Sequence, residues 1–119
     1  MSLNLSTQQV HGVTVVKASG RIVFGEEANA LRNEIKPFVQ AGAANVVIDL
    51  TDVVYVDSGG IGALVGLYTT ARAGGGDLKL AGANPKVRHV LDITKLSGIL
   101  GIFATAEEAV AAMRRSATA

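Results

Sequence analysis

One segment constrains the fold of this chain more than any other, namely the near-continuous apolar run at residues 46–50. The run is rich in β-branched side chains, which is typical of a central strand buried inside a sheet. A buried strand needs neighbouring strands at its edges and other elements over its faces. The rest of the chain must therefore supply them.

The N-terminal part predicts a β-hairpin followed by a helix. Strand-like residues 3–8 and 13–18 flank a turn at residues 9–12, where Gly12 allows positive φ. From Glu26 onward, apolar residues recur every three or four positions, which indicates an amphipathic helix. The predicted inner stripe of this helix comprises Ala28, Leu31, Ile35 and Phe38.

Two residues bear on where this first helix ends. Pro37 lies inside the apolar pattern and predicts a kink or an early end, because proline cannot donate the helical hydrogen bond. Gly42 supplies a stop, since glycine readily adopts the conformation that follows many helices.

The middle of the chain predicts a second helix, which follows residues 57–60, and another strand. Gly62 and Gly66 within this helix are expected to let it approach the sheet closely. Residues 73–77 form a glycine-rich loop, and residues 78–81 form the next strand. The predicted apolar stripe of the second helix comprises Ile61, Leu64, Val65, Tyr68 and Ala71.

The C-terminal part predicts two more helices around a last strand. Asn84 followed by Pro85 is a strong helix start, and residues 99–103 read as a strand. Thr105 and Glu108 have the spacing of a capping box for the final helix. The expected inner residues of these two helices are Val87, Val90 and Leu91, then Ala109, Val110 and Met113.

This alternation of strands and helices predicts an α/β fold of one domain over residues 1–119, with a sheet covered by helices. The chain has 49% hydrophobic residues and 18% charged ones, which indicates a globular domain and not a disordered tail. We find no internal repeat, linker or second domain in it.

Charge and composition exclude several functional classes. Eleven basic and ten acidic side chains nearly cancel, so the chain lacks the basic excess of a nucleic-acid-binding protein. It has no cysteine, which excludes disulfides and thiol chemistry. We expect a cytoplasmic protein, because the start shows no signal-peptide pattern and no apolar run reaches the ~20 residues of a membrane span.

The segment Asp57-Ser58-Gly59-Gly60 is the one that suggests chemistry. It joins a strand to a helix, so its polar groups lie where free backbone N–H groups and the positive end of the helix dipole collect. Ser58 is expected to be exposed there, in a place that tolerates a phosphate. On spacing alone, the commoner interpretation is that Asp57 or Ser58 caps the helix and that the glycines permit the turn.

Enzymes and phosphate-binding loops fit the sequence poorly. A serine hydrolase needs a histidine base, and His11 and His89 are both better explained as surface residues. Val56 occupies the position at which a nucleophile elbow needs glycine. No phosphate-loop motif or metal-ligand spacing occurs, so neither a cofactor nor a metal is expected.

Residues 57–62, which read Asp-Ser-Gly-Gly-Ile-Gly, resemble the D-S-[ST]-G-[LI]-G signature of bacterial anti-sigma-factor antagonists, a group within the STAS domain family. The resemblance covers essentially the whole chain, including the hairpin and the Asn84-Pro85 helix start. It implies a STAS-type α/β sandwich in which a mixed sheet of four to five strands is covered by about four helices.

The resemblance also implies a mechanism. In such antagonists the serine after the aspartate accepts a phosphate, and here that residue is Ser58. The unphosphorylated form binds an anti-sigma factor that is also a serine kinase, and so frees the sigma factor. Phosphorylation ends the binding, and a PP2C-type phosphatase restores it. The implied partner-binding residues are Arg21, Val23, Asp57, Ser58, Gly59, Gly60, Ile61 and Gly62.

The chain departs from the family pattern at three positions. Gly59 replaces the usual Ser or Thr, while Arg21 and Val23 stand where well-studied antagonists carry acidic residues. The departures raise the alternatives of a changed partner or an absence of phosphorylation, but Ser58 and Asp57 are both kept, so phosphorylation of Ser58 remains the expectation. The alternative function is therefore an unphosphorylated STAS subunit of a signalling or transporter complex.

Overall fold

The computed structural model describes residues 3–42 and 44–118. In this part of the chain, five strands form one sheet: β1 (Leu3–Val10), β2 (Val13–Ile22), β3 (Asn45–Val56), β4 (Asp77–Ala81) and β5 (Ile102–Phe103). The helices that cover it are α1 (Glu26–Gln40), α2 (Ser58–Ala73), α3 (Pro85–Ile93) and α4 (Ala106–Thr118). A one-turn 3-10 helix, Leu96–Gly98, precedes β5.

The strands lie side by side in sequence order. β1 runs antiparallel to β2, and the other neighbouring strands run parallel to each other. The parallel pairs are connected through α1, α2 and α3, as parallel connections require. The predicted α/β fold with a mixed sheet is therefore confirmed.

β3 lies at the centre of the sheet and explains the apolar run. Val46 and Ile48 pack into the core beneath α1, α2 and α3, whereas Val47 packs on the opposite face beneath α4. All three are fully buried. The central-strand prediction is confirmed, although β3 continues beyond residue 50 to Val56 because its second half also pairs with β2.

The predicted hairpin is confirmed, but its turn is shorter than residues 9–12. Val10 pairs directly with Val13, which leaves only His11 and Gly12 in the turn. Both of these residues have positive φ, 52° and 81°. That combination is typical of the two-residue turn whose twist matches a β-hairpin.

The early end of α1 predicted at Pro37 is wrong, because the helix continues to Gln40. Its last turn buries Val39, which is only 2% exposed, against the main core. Phe38, predicted to lie in the inner stripe, is only partly buried. Packing of Val39 thus stabilises a turn that the proline alone disfavours. Gly42, with φ of 88°, follows the helix as expected.

The predicted inner face of α2 is partly wrong. Leu64 and Ala71 are buried as expected, but Val65 is 36% exposed and Leu67 is buried instead. Gly62 and Gly66 are exposed, and a Cβ atom at either would meet nothing within 4 Å. They therefore do not mediate close packing on the sheet. The helix itself begins at Ser58.

The C-terminal elements follow the prediction except for the last strand. The Asn84 side chain accepts from the N–H of Val87 over 2.8 Å and caps α3. The Thr105 hydroxyl accepts from the N–H of Glu108 over 3.2 Å at the start of α4. The strand predicted at residues 99–103 shrinks to Ile102–Phe103, because the N–H groups of Ile99 and Leu100 donate to the carbonyl oxygen of Leu96 and not to a neighbouring strand. The predicted inner residues of both helices are buried except Val90, which is only partly buried.

No helix among the described residues is both long enough and apolar enough to cross a membrane.

Candidate functional site

The ends of two neighbouring parallel strands meet at the start of α2. Ile22 and Val56 are register partners at the ends of β2 and β3. The N–H of Asp57 then donates to the carbonyl oxygen of Ile22 over 3.3 Å, and α2 begins at Ser58. The loop after β2 and the first turn of α2 therefore lie together at the carboxyl end of the sheet. Ligands and partners of open α/β proteins usually bind at such an end.

The Asp57 carboxylate connects these two segments. Its Oδ1 atom accepts from the N–H of Gly60 over 2.9 Å, which caps α2. The N–H of Phe24 donates to both carboxylate oxygens over 3.0 and 3.1 Å. The capping interpretation is thus confirmed for Asp57, which also ties the loop after β2 to the helix.

The same hydrogen bonds lower the pKa of Asp57. Burial by itself raises the pKa of this carboxyl, but the backbone N–H donors of Gly60, Phe24 and Gly59 favour the charged form and outweigh burial. The pKa consequently lies below its ordinary value. The carboxylate therefore stays charged throughout the physiological range.

We expect Asp57→Asn to lower the free energy of unfolding at neutral pH by about 1–2 kcal/mol, because the amide nitrogen cannot accept an N–H bond. The folded-state pKa lies below the unfolded value of about 3.9, so the stabilisation is present above that pH and fades below it. Urea unfolding at pH 7 and at about pH 3 should show the difference between wild type and variant shrinking in acid. A difference that stays constant would contradict this assignment.

Asp52→Asn is the matched control for that measurement. Asp52 lies on β3, which ends one residue before Asp57, and it forms an exposed ion pair with Lys17 at 3.5 Å. Exposed ion pairs contribute little to the free energy of unfolding, so we expect Asp52→Asn to change it by no more than about 0.5 kcal/mol.

Ser58 is the first residue of α2, and it is exposed as predicted. Among the described residues, none forms a hydrogen bond with its hydroxyl. Asp57 already supplies the cap, so the Ser58 hydroxyl is not needed to hold the helix end. It is free to react or to contact another molecule.

Two glycines make this junction possible. A Cβ atom at Gly60 would overlap the carbonyl oxygen of Ile22. A Cβ atom at Gly59 would lie 2.5 Å from the Cβ of Phe24 and 2.6 Å from its Cα. The departure of Gly59 from the signature therefore has a physical reason: the loop after β2 occupies the space that a side chain would need.

The other predicted site residues differ in their exposure to solvent. Ile61 is partly buried and packs against the main core. Gly62 is exposed on the outer side of α2, and Arg21 is exposed at the end of β2. Val23 is partly buried, and its carbonyl oxygen accepts from the N–H of Ala28 over 2.9 Å. Ile61 thus acts mainly in packing, whereas Gly62 and Arg21 are accessible.

Sequence reasoning missed Phe24, which is 81% exposed next to Gly59. The sequence pattern assigned Phe24 no role, and the local signal beside it is Gly25, whose φ of 100° marks a turn. It also missed a bulge in β3: Gly20 pairs with Val53 and Arg21 with Tyr55, which leaves Val54 unpaired. Bulges often re-aim side chains near functional sites.

The two histidines of the chain lie on other elements than Ser58. His11 lies at the opposite end of β2, about 30 Å away by strand rise, and His89 is exposed on α3. Within residues 3–42 and 44–118, no cluster of three or more His, Cys, Asp or Glu side chains could hold a metal ion.

Comparisons with known proteins agree on one family. Residues 4–109 match the family model described as "STAS domain". The chain is 34% identical to the anti-sigma-B factor antagonist of Bacillus subtilis (strain 168) over 111 residues, which cover 92% of this chain and 99% of the relative. It is 26% identical to the anti-sigma F factor antagonist of Paenibacillus polymyxa over 104 residues, which cover 87% and 88%. A crystal structure of an anti-sigma factor antagonist from Mycobacterium paratuberculosis matches with a TM-score of 0.82 at 28% identity, over 95% of each chain.

Proposed function

The chain belongs to the STAS domain family, and from this premise we propose that it is an anti-sigma-factor antagonist whose binding is controlled by phosphorylation of Ser58. In its unphosphorylated form it binds an anti-sigma factor that is also a serine kinase, and so releases the sigma factor. A PP2C-type phosphatase reverses the phosphorylation. The protein itself is a cytoplasmic regulator and not an enzyme.

The observation that carries this proposal is the exposed Ser58 hydroxyl beside a cap that Asp57 already makes. A hydroxyl without a structural role, at the first position of a helix, is accessible to a kinase. The positive end of the helix dipole favours the negative charge of a phosphate there. The fold can therefore carry the modification.

The same position explains why a phosphate would end binding. Phosphorylation adds a charge of about −1.5 to −2 directly beside the Asp57 carboxylate. A partner that covers Ser58 would have to desolvate both charges, and burying unpaired charge is strongly unfavourable. The modification thus acts on the interface while leaving the fold in place.

The decisive experiment incubates the purified chain with the anti-sigma factor kinase of its host and ATP. We expect intact-mass spectrometry to show one added phosphate and peptide mapping to place it on Ser58. Ser58→Ala should remain unmodified but still bind the kinase, whereas Ser6→Ala, at an exposed serine of β1, should be modified like wild type. Treatment with a PP2C-type phosphatase should restore binding.

Two results would contradict the proposal in different ways. Stable binding with no phosphate on Ser58 would favour an unphosphorylated STAS subunit. Absence of binding to any anti-sigma factor of the host would exclude the antagonist function itself.

A further inference from the structure

We infer that Phe24 is the side chain that the partner buries, and that the anti-sigma factor carries an apolar pocket which receives this ring next to Ser58. The inference rests on the proposed function, because the partner is the anti-sigma factor named there. It adds a recognition residue outside the Asp57–Gly62 segment and states the chemistry of the surface that this residue meets.

Phe24 is the most exposed large hydrophobic side chain in the described part of the chain, at 81%, followed by Ile93 at 64%. Single exposed apolar residues are common on protein surfaces, so exposure alone decides nothing. An aromatic ring does, however, offer a large apolar area with few rotamers to fix, and aromatic residues are enriched where interfaces are fully buried.

The backbone of Phe24 distinguishes it from the other exposed apolar residues. Its N–H is held by both oxygens of Asp57, and the carbonyl oxygens of Val23 and Gly25 accept from the first turns of α1 over 2.9 and 3.0 Å. The loop is therefore anchored on both sides while the ring faces solvent. A side chain presented in this way loses little freedom on binding, so more of its contact energy contributes to affinity.

The absence of a side chain at Gly59 allows the Phe24 backbone to lie close to the start of α2, next to Ser58. Any side chain at Gly59 would push the Phe24 backbone away from the start of α2. The glycine therefore keeps an aromatic ring one residue away from the proposed phosphorylation site. We expect the partner pocket that surrounds this ring to extend over the neighbouring Ser58, which would place a phosphate in an apolar, desolvated setting.

Isothermal titration of the unphosphorylated protein with the host anti-sigma factor tests the inference. We expect Phe24→Ala to weaken binding by about 30-fold or more, as removal of a buried interface anchor does. Ile93→Ala removes a comparably exposed apolar side chain from α3 and should bind within about twofold of wild type. Circular dichroism and thermal unfolding should show both variants folded, because neither side chain lies in the core.

A second measurement does not depend on truncating the ring. Replacement of Phe24 by the photoreactive benzoylphenylalanine should crosslink the anti-sigma factor on irradiation, at apolar residues of one pocket. The same replacement at Ile93 should give no crosslink.

The binding results distinguish a wrong role for Phe24 from a wrong proposed function. If wild type binds and Phe24→Ala binds equally well, the inference is overturned while the antagonist function stands. Crosslinks scattered over polar surface would overturn it too. If wild type binds no anti-sigma factor, the proposed function fails and this inference falls with it.

Discussion

Gly60→Ala is expected to lower the free energy of unfolding by about 3 kcal/mol or more, whereas Gly62→Ala on the same helix is expected to raise it. A Cβ atom at Gly60 would overlap the carbonyl oxygen of Ile22, and backbone atoms cannot yield without separating β2 from α2. A Cβ atom at Gly62 would meet nothing within 4 Å. Alanine there should gain about 0.5–1 kcal/mol, because glycine loses more conformational freedom in a helix.

Urea denaturation of the two variants and wild type measures both changes, and Gly66→Ala serves as a second exposed control on the same helix. The Gly60→Ala and Gly62→Ala pair is informative because both substitutions add the same methyl group within one turn of α2, on different sides of the helix. A stable Gly60→Ala protein would mean that the junction between β2 and α2 is looser than the structure shows. Destabilisation by Gly62→Ala would mean that its outer side is not exposed.

Much of the fold could be predicted because local signals and packing agree along most of the chain. The Asn84 cap and the Thr105–Glu108 contact are interactions within a few residues, and the structure contains both. The apolar run of β3 predicts burial by its composition alone, and the structure buries it. Where tertiary packing overrides a local preference, the prediction was wrong. The early end predicted at Pro37 is the example, since burial of Val39 maintains the helix beyond the proline.

The candidate site was harder to predict for the same reason. The Asp57-Ser58 motif is local, and its exposure and capping follow from spacing. The contact between Gly59 and Phe24 joins residues that are distant in sequence, so no periodicity reveals it. The packing role predicted for Gly62 and Gly66 was wrong because a glycine pattern alone does not tell which side of α2 faces the sheet. Here Gly59 and Gly60 face the end of β2, while Gly62 and Gly66 face solvent.

Phosphorylation of Ser58 is expected to weaken binding to the anti-sigma factor by about 100-fold or more, while changing the free energy of unfolding by no more than about 1 kcal/mol. The two effects differ because the phosphate is solvated in the free protein and desolvated in the complex. At the start of α2, attraction to the helix dipole offsets repulsion from Asp57. In the complex the phosphate loses its water while the Asp57 carboxylate beside it stays charged, so the repulsion is stronger there.

Ser58→Asp carries a smaller charge and less bulk than a phosphate, so we expect it to weaken binding by about tenfold to 100-fold. Titration calorimetry of wild type, the phosphorylated protein and Ser58→Asp with the anti-sigma factor gives the affinities, and urea unfolding gives the stabilities. Ser6→Asp, which adds the same charge to an exposed position of β1, should change neither the affinity nor the free energy of unfolding.

Equal affinities for wild type, Ser58→Asp and the phosphorylated form would mean that the partner does not cover Ser58. If binding and stability fell together, the phosphate would act by disrupting the Asp57 cap, and the switch would lie in the fold of this chain instead of its interface.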